Sequence, residues 1–389
     1  MLKLYRIKIL NLLCYQALQL INLFLNRKKI EYQHNKLLII RLDSIGDYML
    51  FRNFIGEIKK SKKYRDYTVT LCGNILWKDI AESFDKEVVN DFIWIDRRKF
   101  YGNIFYKYKI MRSIREKGFE IVIDPTFSRE ILYGDSIVKV SGAKEKIGST
   151  GSPDSHSKWK RNLLTDKYYT KLISSSKANL FEFNRNKEFF ERVLNEKIEI
   201  EKPFIDSSKI FSDKIPVSEY YIVIFPGAKH LKRRWSVDSF AEVSGFILNE
   251  YNLGIVIAGS EEDYQLAEQI IFKTRANKCL NMTGKTKLNE LAKLISNATL
   301  LISNDTGAVH IAAAVNSSFI CISNGNHFGR FHPYPKEIFD KAYYIYPPEI
   351  MNNQDNIELL KNKYRFSSEL DINEIKPGTV KETIKKILG

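Results

Sequence analysis

The pattern of hydrophobic and polar positions predicts a chain in which strands and helices alternate. Short runs rich in Ile, Val, Leu and Tyr recur from residue 36 onward, and a stretch with apolar residues at helical spacing follows each run. This alternation is typical of a parallel sheet whose strands are joined by crossover helices. The clearest predicted strands are residues 36–41, 67–72, 91–95, 119–124, 220–225, 254–258, 300–303 and 319–323.

The strands form two consecutive series that meet near residues 200–215, which indicates two Rossmann-like α/β domains facing one another. A polar stretch rich in Lys and Ser, residues 148–178, interrupts the first series and predicts a long loop. The predicted segments are an amphipathic basic N-terminal segment (1–36), an N-terminal domain (37–210), a C-terminal domain (211–340) and a helical tail that packs back on the N-terminal domain (341–389).

The N-terminal segment predicts an amphipathic helix. Residues 9–25 carry no charge, but four amide side chains make this stretch too polar and too short to predict a membrane span. Polar side chains recur along one helix face at Lys8, Asn11, Tyr15, Gln19, Asn22 and Asn26. Apolar residues fill the other faces and three basic residues, 27–29, close the helix, which is typical of a helix lying in the interface of an anionic membrane leaflet. The alternative is a helix packed on the protein's own surface or on a second subunit.

Composition and charge narrow the class of protein. The chain has 389 residues, of which 44% are hydrophobic, so it has enough apolar side chains for a packed core and a disordered chain is excluded. The net charge of +15 points to an anionic partner, and part of the excess lies in residues 1–36. No stripe of basic and aromatic residues predicts a nucleic-acid surface. The four cysteines are far apart, which excludes a zinc ribbon and favours a reducing compartment.

The first cluster of functional candidates follows the first predicted strand, in the sequence RLDSIGD. Ligands of open parallel sheets bind beyond the carboxyl ends of the strands, so Ser44, Gly46 and Asp47 stand where a ligand is expected. Glycine at such a turn lets the backbone approach a ligand closely. Asp47 is either a general base or a helix N-terminal carboxylate stabilised by the helix dipole.

A second cluster, the sequence PGAKHLKRRW, follows the first strand of the second series. Gly227 and Ala228 end the strand, and basic side chains, among them Lys232 and Arg233, come directly after them. Such a loop suits a diphosphate, because cations neutralise the charge that develops on a leaving group. The alternative is a solvated basic loop.

A third cluster is the strand–turn–helix sequence around Asp305, Thr306, Gly307 and His310. Side-chain caps and open backbone N–H groups at a helix start together form an anion site. Glu261, just past another strand, is placed as an acid that holds ribose hydroxyls. No metal-binding acid pair accompanies these residues, so a site without metal or other cofactor is expected.

Taken together, these motifs and their order resemble glycosyltransferase family 9, the bacterial heptosyltransferase family. The resemblance covers roughly residues 37–340, and its matching stretches are IIRLDSIGDYML, FPGAKHLKRRWSVDSFAEV and MTGKTKLNELAKLISNATLLISNDTGAVHIAAA. It implies a GT-B fold, two Rossmann-like domains with the active site in the cleft between them. It further implies an inverting, metal-independent transferase that moves a sugar, often heptose from ADP-heptose, to a lipopolysaccharide-type acceptor.

The resemblance also implies roles for individual residues. Asp47 falls on the family's general base, and Glu261 falls on an acid that contacts the nucleoside. The residues implied to bind the diphosphate are Gly227, Ala228, Asp305, Thr306, Gly307 and His310. The family's lysine two places before the tryptophan is replaced by Arg233, so either Lys232 or Arg233 takes that role.

The chain departs from the family pattern after its last matched strand. Many members have Phe-Gly-Pro-Thr-Asp there, whereas this chain has SNGNHFGRFH, in which His327 and Arg330 either contact the donor or cap the loop. The donor sugar and the nucleotide base therefore stay open.

The expected location of the protein is the cytoplasm, where it is peripheral on the inner face of the membrane. The alternatives are a family member that uses another nucleotide-sugar for O-antigen or capsule, and a non-catalytic nucleotide- or polyanion-binding protein.

Overall fold

The computed structural model describes residues 2–27, 29–152, 158–176, 179–209, 220–275 and 278–389, with backbone only for 2–8 and 207. The chain divides into two compact units, which we call the first unit (residues 1–178 with 184–200) and the second unit (residues 179–183 with 201–389). Each unit contains one six-stranded sheet in which all strand pairs are parallel.

The strands of the first unit are β1 (Lys36–Arg41), β2 (Thr68–Asn74), β3 (Asp91–Ile95), β4 (Ile121–Asp124), β5 (Glu145–Ser149) and β6 (Lys171–Ile173). Those of the second unit are β7 (Tyr221–Phe225), β8 (Gly254–Ile257), β9 (Cys279–Asn281), β10 (Leu300–Asn304), β11 (Phe319–Ile322) and β12 (Ala342–Ile345). All eight predicted strands are present, within two residues at each end.

The α-helices in the first half of the chain are α1 (Leu2–Leu25), α2 (Ile45–Met49), α3 (Phe54–Lys60), α4 (Lys78–Phe84), α5 (Arg97–Gly102), α6 (Ile104–Glu116), α7 (Gly134–Ser141), α8 (Lys158–Leu164) and α9 (Glu182–Leu194). The remaining α-helices are α10 (Val237–Tyr251), α11 (Tyr264–Thr274), α12 (Leu288–Ser296), α13 (Gly307–Ala314), α14 (Pro348–Met351), α15 (Ile357–Tyr364) and α16 (Pro377–Leu388).

The two sheets share one topology. The strand orders are β3-β2-β1-β4-β5-β6 and β12-β11-β10-β7-β8-β9, so the first strand of each unit lies near the middle and the chain fills one side before the other. The order reverses between β1 and β4 and between β7 and β10, which are the two topological switch points. In such sheets ligands bind at the carboxyl ends of the strands beside the switch point.

The central strands form because their sequences are continuous apolar runs. Residues 37–40 of β1 and 222–224 of β7 are completely buried, as expected for parallel strands covered by helices on both faces. Four outer strands, β5, β6, β9 and β12, were not predicted, because they are short and carry polar residues such as Glu145 and Lys146.

The predicted long loop over residues 148–178 is largely wrong. This stretch contains the end of β5, the helix α8 and the edge strand β6, while 153–157 and 177–178 lie outside the described residues. Arg161 of α8 is buried and donates a hydrogen bond to the Ser152 carbonyl oxygen at 2.7 Å. A buried arginine that ties the chain back on itself explains why a polar sequence is folded here.

The structure also corrects the predicted helical tail. Residues 341–389 belong to the second unit, where β12 pairs with β11 and Val380 and Ile384 of α16 lie in the same core as α10. The indole N–H of Trp235 donates to the carbonyl oxygen of Ile375 at 2.9 Å. The apolar stripe of α16 therefore completes the core of the second unit.

One side of α1 packs on the first unit, as the alternative to the membrane interpretation predicted. Leu18, Ile21 and Leu25 are buried in the core cluster that includes Met111 of α6 and Val138 of α7. Within the part of the chain that the structure describes, no helix combines the length and the apolar character needed to cross a membrane.

Candidate functional site

In the first unit, a buried arginine organises the turn after β1. Arg41 is fully buried, and its Nε lies 3.1 Å from Asp43 Oδ2 while Nη2 lies 3.9 Å from Asp47 Oδ1. Nη1 donates to Oδ1 of Asn186 at 3.4 Å. A buried guanidinium needs opposite charges and hydrogen-bond acceptors around it. Arg41 therefore draws both acids of the motif to the carboxyl end of β1.

The backbone of the same turn is fixed by side chains from neighbouring elements. The carbonyl oxygen of Leu42 accepts from Asn74 at 3.1 Å and from Arg97 at 2.9 Å. The carbonyl oxygen of Asp43 accepts from Asn74 at 3.1 Å and from the Trp77 indole at 3.2 Å. These bonds leave the turn little freedom to move, so residues that follow it are held in place.

The three residues predicted at this turn lie together at the start of α2. Ser44 precedes the helix without making a side-chain cap, and Gly46 and Asp47 lie within the first turn. The Asp47 side chain is 18% exposed, so it is sheltered yet accessible to a ligand. A carboxylate held in this way beside β1 can accept a proton from a bound hydroxyl group.

A second group of acids lies at the carboxyl end of β4, on the other side of the switch point. Asp124 and Asp135 are completely buried, and both accept hydrogen bonds from Tyr169, at 3.2 Å and 2.7 Å. Arg129 donates to Asp135 at 2.9 Å. Burial, and then the neighbouring Asp135, raise the pKa of Asp124 to about 6. This cluster was not predicted from the sequence, where the one signal for it is the acid that ends the predicted strand 119–124.

In the second unit, Asn304 joins the ends of the two central strands. Its amide donates to the carbonyl oxygen of Pro226 at 2.6 Å, and its oxygen accepts from the backbone N–H of Trp235 at 3.2 Å. A Cβ atom on Gly227 would lie 2.4 Å from Asp263 Oδ2, so any other residue would displace that carboxylate. The Ala228 carbonyl oxygen accepts from Arg234 at 2.7 Å. The Pro-Gly-Ala loop is thus held against β10.

The predicted Asp-Thr-Gly turn begins a buried helix at the switch point of the second unit. Thr306 caps α13, its hydroxyl oxygen accepting from the Ala308 backbone N–H at 3.2 Å. Gly307 is the first residue of the helix, where the backbone N–H groups and the helix dipole favour an anion.

Arg233, one of the two alternative cations, lies at this turn. Its Nη2 donates to the carboxylate of Asp305 at 2.5 Å and to the Asp305 carbonyl oxygen at 2.6 Å. Lys232 instead forms an exposed ion pair with Glu369. The geometry therefore brings Arg233, and not Lys232, to the Asp-Thr-Gly turn.

Two buried histidines, His310 and His332, lie close to the Asp-Thr-Gly turn. His310 Nδ1 is 2.9 Å from the Tyr334 hydroxyl, and His332 Nε2 is 3.6 Å from Asp305 Oδ2. Burial lowers the pKa of His310 to about 4 and also lowers the pKa of His332. Burial alone would raise the pKa of Asp305, but His332 and Arg233 beside it hold that pKa below its usual range. His310 is therefore neutral at pH 7 and offers a hydrogen bond rather than a charge.

The remaining predicted residues lie after two different strands, Glu261 after β8 and His327 and Arg330 after β11. Glu261 begins the short 3-10 turn after β8 and is exposed. His327 Nδ1 lies 3.2 Å from the Arg365 carbonyl oxygen, and Arg330 pairs with the buried Glu182 at 2.8 Å. These contacts hold the loop after β11 in place. Glu182 was not predicted, because nothing in the sequence relates two residues so far apart.

The two units thus carry different chemistry. The second unit offers a cation and a helix N-terminus for an anion such as a diphosphate, and the first unit offers a sheltered carboxylate. Among the residues that the structure describes, no group of three or more His, Cys, Asp or Glu is arranged to hold a metal ion.

Comparison with known proteins matches more than half of the chain to a family. Residues 107–340 match the model of glycosyltransferase family 9 (heptosyltransferase). The chain is 33% identical over 125 residues to lipooligosaccharide heptosyltransferase 2 of Haemophilus influenzae, covering 31% of this chain and 34% of that protein. It is 22% identical over 309 residues to lipopolysaccharide heptosyltransferase 3 of Escherichia coli K12, covering 75% and 83%. The matches thus span about a third of the length of the first curated relatives.

Solved structures agree on the fold. A glycosyl transferase family 9 structure from Veillonella parvula has a TM-score of 0.69 at 17% identity, covering 92% of this chain and 98% of that one. The E. coli ADP-heptose LPS heptosyltransferase II gives a TM-score of 0.64 at 17% identity, with 91% and 98% covered. E. coli heptosyltransferase WaaC with ADP gives 0.69 at 15% identity, with 90% and 99% covered. The predicted GT-B fold class, with two Rossmann-like domains, is confirmed.

Proposed function

This chain belongs to glycosyltransferase family 9, the heptosyltransferases, and from this premise we propose that it transfers a sugar from a nucleotide-sugar to a cell-surface glycan acceptor. The donor is ADP-heptose and the acceptor is a lipopolysaccharide or a related glycan. The observation that carries the proposal is the Asp-Thr-Gly turn with Arg233 at the switch point of the second unit. Relatives named as heptosyltransferases support the choice of sugar.

The second unit binds the diphosphate of the donor. The N–H groups at the start of α13 and the Arg233 guanidinium supply the positive electrostatic field, and the Pro-Gly-Ala loop lets the ligand approach the backbone. When the bond to the sugar breaks, negative charge grows on the leaving diphosphate, and the same groups stabilise it. Side chains and backbone thus supply the charge compensation, so the proposal includes no metal ion. Glu261 contacts the nucleoside.

The first unit supplies the general base. Asp47, held at the end of β1 by its attraction to Arg41, takes the proton of the attacking acceptor hydroxyl. The hydroxyl oxygen forms a bond to the anomeric carbon as the bond to the diphosphate breaks. A single displacement of this kind inverts the configuration at the anomeric carbon.

The proposed place of action is the inner face of the cytoplasmic membrane. A lipid-linked acceptor lies at that surface, and the net charge of +15 attracts the chain to anionic lipids. The proposed transfer reaction does not depend on binding to the membrane.

A second candidate is a family member that uses a different nucleotide-sugar. The observation that favours it is the loop after β11, where His327 and Arg330 replace the family pattern and make contacts within the second unit. A changed loop at the carboxyl end of the sheet alters the groups available to a sugar.

The first test is a thermal-shift panel with ADP, UDP, GDP and CDP, without added metal. ADP is expected to raise the melting temperature selectively, because a ligand that binds only the folded state stabilises it. Stabilisation by UDP or GDP instead would select the second candidate. Turnover of ADP-heptose with a lipopolysaccharide acceptor then tests the transfer itself. If no nucleotide shifts the melting temperature and no transfer is measured, both candidates fail, and a non-catalytic role is favoured.

A further inference from the structure

The outward side of α1 is apolar. The helix buries Cys14, Leu18, Ile21 and Leu25, which recur at helical spacing and face the first unit. The opposite side carries the exposed Gln16 and large hydrophobic residues that are each between 46% and 67% exposed: Ile9, Leu10, Leu12, Leu13, Leu20, Leu23 and Phe24. An exposed, contiguous apolar surface of this kind marks an interaction site.

Three polar residues of α1 contact or lie within the protein, whereas Gln16 is exposed. The Asn11 side chain accepts a hydrogen bond from the Tyr101 hydroxyl at 2.8 Å, and Gln19 accepts one from Lys139 at 2.5 Å. Asn22 is buried. A helix in water shows the opposite arrangement, with its apolar side inward and its polar side outward. The arrangement of α1 therefore suits a surface whose surroundings are not water.

A cavity of about 340 Å³ opens where α1 ends. Phe24 and Tyr108 line it, with ring centroids 6.2 Å apart, and Lys29, Arg112 and Arg115 bring positive charge to it. Two acids, Glu31 and Glu116, also line the cavity, and Glu116 pairs with Arg112 at 2.6 Å. The lining thus keeps one positive charge in excess, next to the apolar side of α1.

The charged residues of the N-terminal segment up to residue 30 are all basic. Residues 1–30 contain no acid, and the exposed Arg27 lies two residues after the last residue of α1, Leu25. Arg27 and the exposed Lys29 therefore stand at the end of the apolar surface. An apolar surface bordered by cations is complementary to acyl chains beneath anionic headgroups.

We infer that α1 lies in the plane of an anionic lipid bilayer, with its Leu and Phe side chains among the acyl chains. The phosphate of a lipid headgroup occupies the cavity beside Lys29 and Arg115. This inference deepens the proposed function in one respect: it rests on the proposed location at the membrane and names the residues that bind lipid.

The packing of α1 decides between lying in the bilayer plane and crossing it. Leu18, Ile21 and Leu25 share the core of the first unit, so lipid cannot surround the helix. A spanning helix needs an apolar surface on all sides that meet lipid. Half of α1 is apolar and available, which is the arrangement of an interfacial helix.

The test uses the full chain and vesicles, without donor or acceptor. Flotation with phosphatidylcholine vesicles and with vesicles that also contain phosphatidylglycerol is expected to show binding to the second kind, weakened by salt. The double variant L20Q/L23Q removes two exposed apolar side chains, and we expect it to lower vesicle partitioning by about tenfold or more. F272Q, at a residue 82% exposed on α11, is the matched control and is expected to bind as the parent does.

A second pair of variants tests the cations. R27E/K29E is expected to abolish the preference for anionic vesicles, whereas K62E/R65E, at exposed positions elsewhere on the first unit, makes the same change in charge and is expected to reduce it only slightly. Lack of binding to anionic vesicles at low salt would overturn the inference, as would L20Q/L23Q binding like the parent.

Light scattering identifies the competing occupant, a second copy of the chain. A dimer that becomes monomeric in L20Q/L23Q, together with no vesicle binding, would assign the apolar surface to self-association and overturn the lipid inference. The nucleotide thermal shift of L20Q/L23Q is expected to equal that of the parent. Vesicle binding without a nucleotide shift would count against the proposed transfer and leave the lipid site standing.

Discussion

The two switch points of this molecule have the same strand order and opposite chemistry. At the first, the acids Asp43 and Asp47 surround a buried arginine, and Asp124 lies buried at the neighbouring strand end. At the second, the start of α13 and Arg233 lie together, where we propose that the diphosphate binds. The shared topology determines where each site lies, and the few residues after each strand decide what it binds.

The largest expected effect is on the base. We predict that Asp47→Asn lowers turnover by about 100-fold to 10,000-fold, because an amide cannot take the proton of the acceptor. Affinity for ADP, measured by calorimetry, is expected to stay near that of the parent.

The matched variant for Asp47 is Asp43→Asn, which removes the other carboxylate on Arg41 at a shorter distance. It is expected to retain far more turnover than Asp47→Asn. Equal losses of turnover in the two variants would mean that Asp47 acts by neutralising the charge of Arg41 and does not act as the general base.

The next largest expected effect is that of replacing Arg233, the cation at the Asp-Thr-Gly turn. Arg233→Gln is expected to lower kcat/KM by about 100-fold, because it removes a charge-assisted hydrogen-bond donor from the proposed diphosphate site. Lys232→Gln is the control with the same loss of charge, one residue away and paired with Glu369 at the surface. Its expected loss is less than about threefold, since exposed ion pairs contribute little. The reverse order would assign the role to Lys232.

The two units are also expected to differ in how acid affects their stability. Burial lowers the pKa of His310 to about 4, below that of an exposed histidine, so the unfolded state binds the proton more readily. Above pH 6.5 His310 is neutral in both states and does not lower the free energy of unfolding. As the pH falls toward 4, protonation of the unfolded state lowers the free energy of unfolding by up to about 3 kcal/mol. His310→Gln is expected to weaken this pH dependence in urea denaturation between pH 4 and 7, whereas His34→Gln, at an exposed site, is not. The same pH dependence in His310→Gln would contradict the prediction.

Asp124 is expected to act in the opposite direction. Its raised pKa of about 6 means that the folded state holds the proton more tightly, so the contribution to stability is present at low pH and is lost as the pH rises through 6. Asp124→Asn keeps an acceptor for Tyr169 and is expected to unfold at a higher urea concentration than the parent at pH 7.5, with a smaller difference at pH 4. Asp66→Asn, at an exposed acid, is the control. A destabilised Asp124→Asn at pH 7.5 would show that the acid is needed there as a charge.

Features that depend on neighbouring residues in the chain could be predicted from the sequence, whereas contacts between residues far apart in the chain could not. The central strands were predicted because buried parallel strands need continuous apolar runs, and the candidate residues followed because they stand directly after those strands. The strands β5 and β6 were missed, since they are short and carry polar residues. The pairing of Glu182 with Arg330 and the acid cluster at β4 depend on contacts between distant residues. The apolar stripe of α16 predicts a packed helix without saying which unit it packs on.

The bond between the Trp235 indole and Ile375 has a consequence for the timing of synthesis. The backbone of Trp235 is also bonded to Asn304, which holds the Pro-Gly-Ala loop. Residues 372–384 supply core side chains to the same unit. On the ribosome the Pro-Gly-Ala loop therefore emerges long before residues 372–384, and the core of the second unit can be completed only once residues up to α16 have left the exit tunnel.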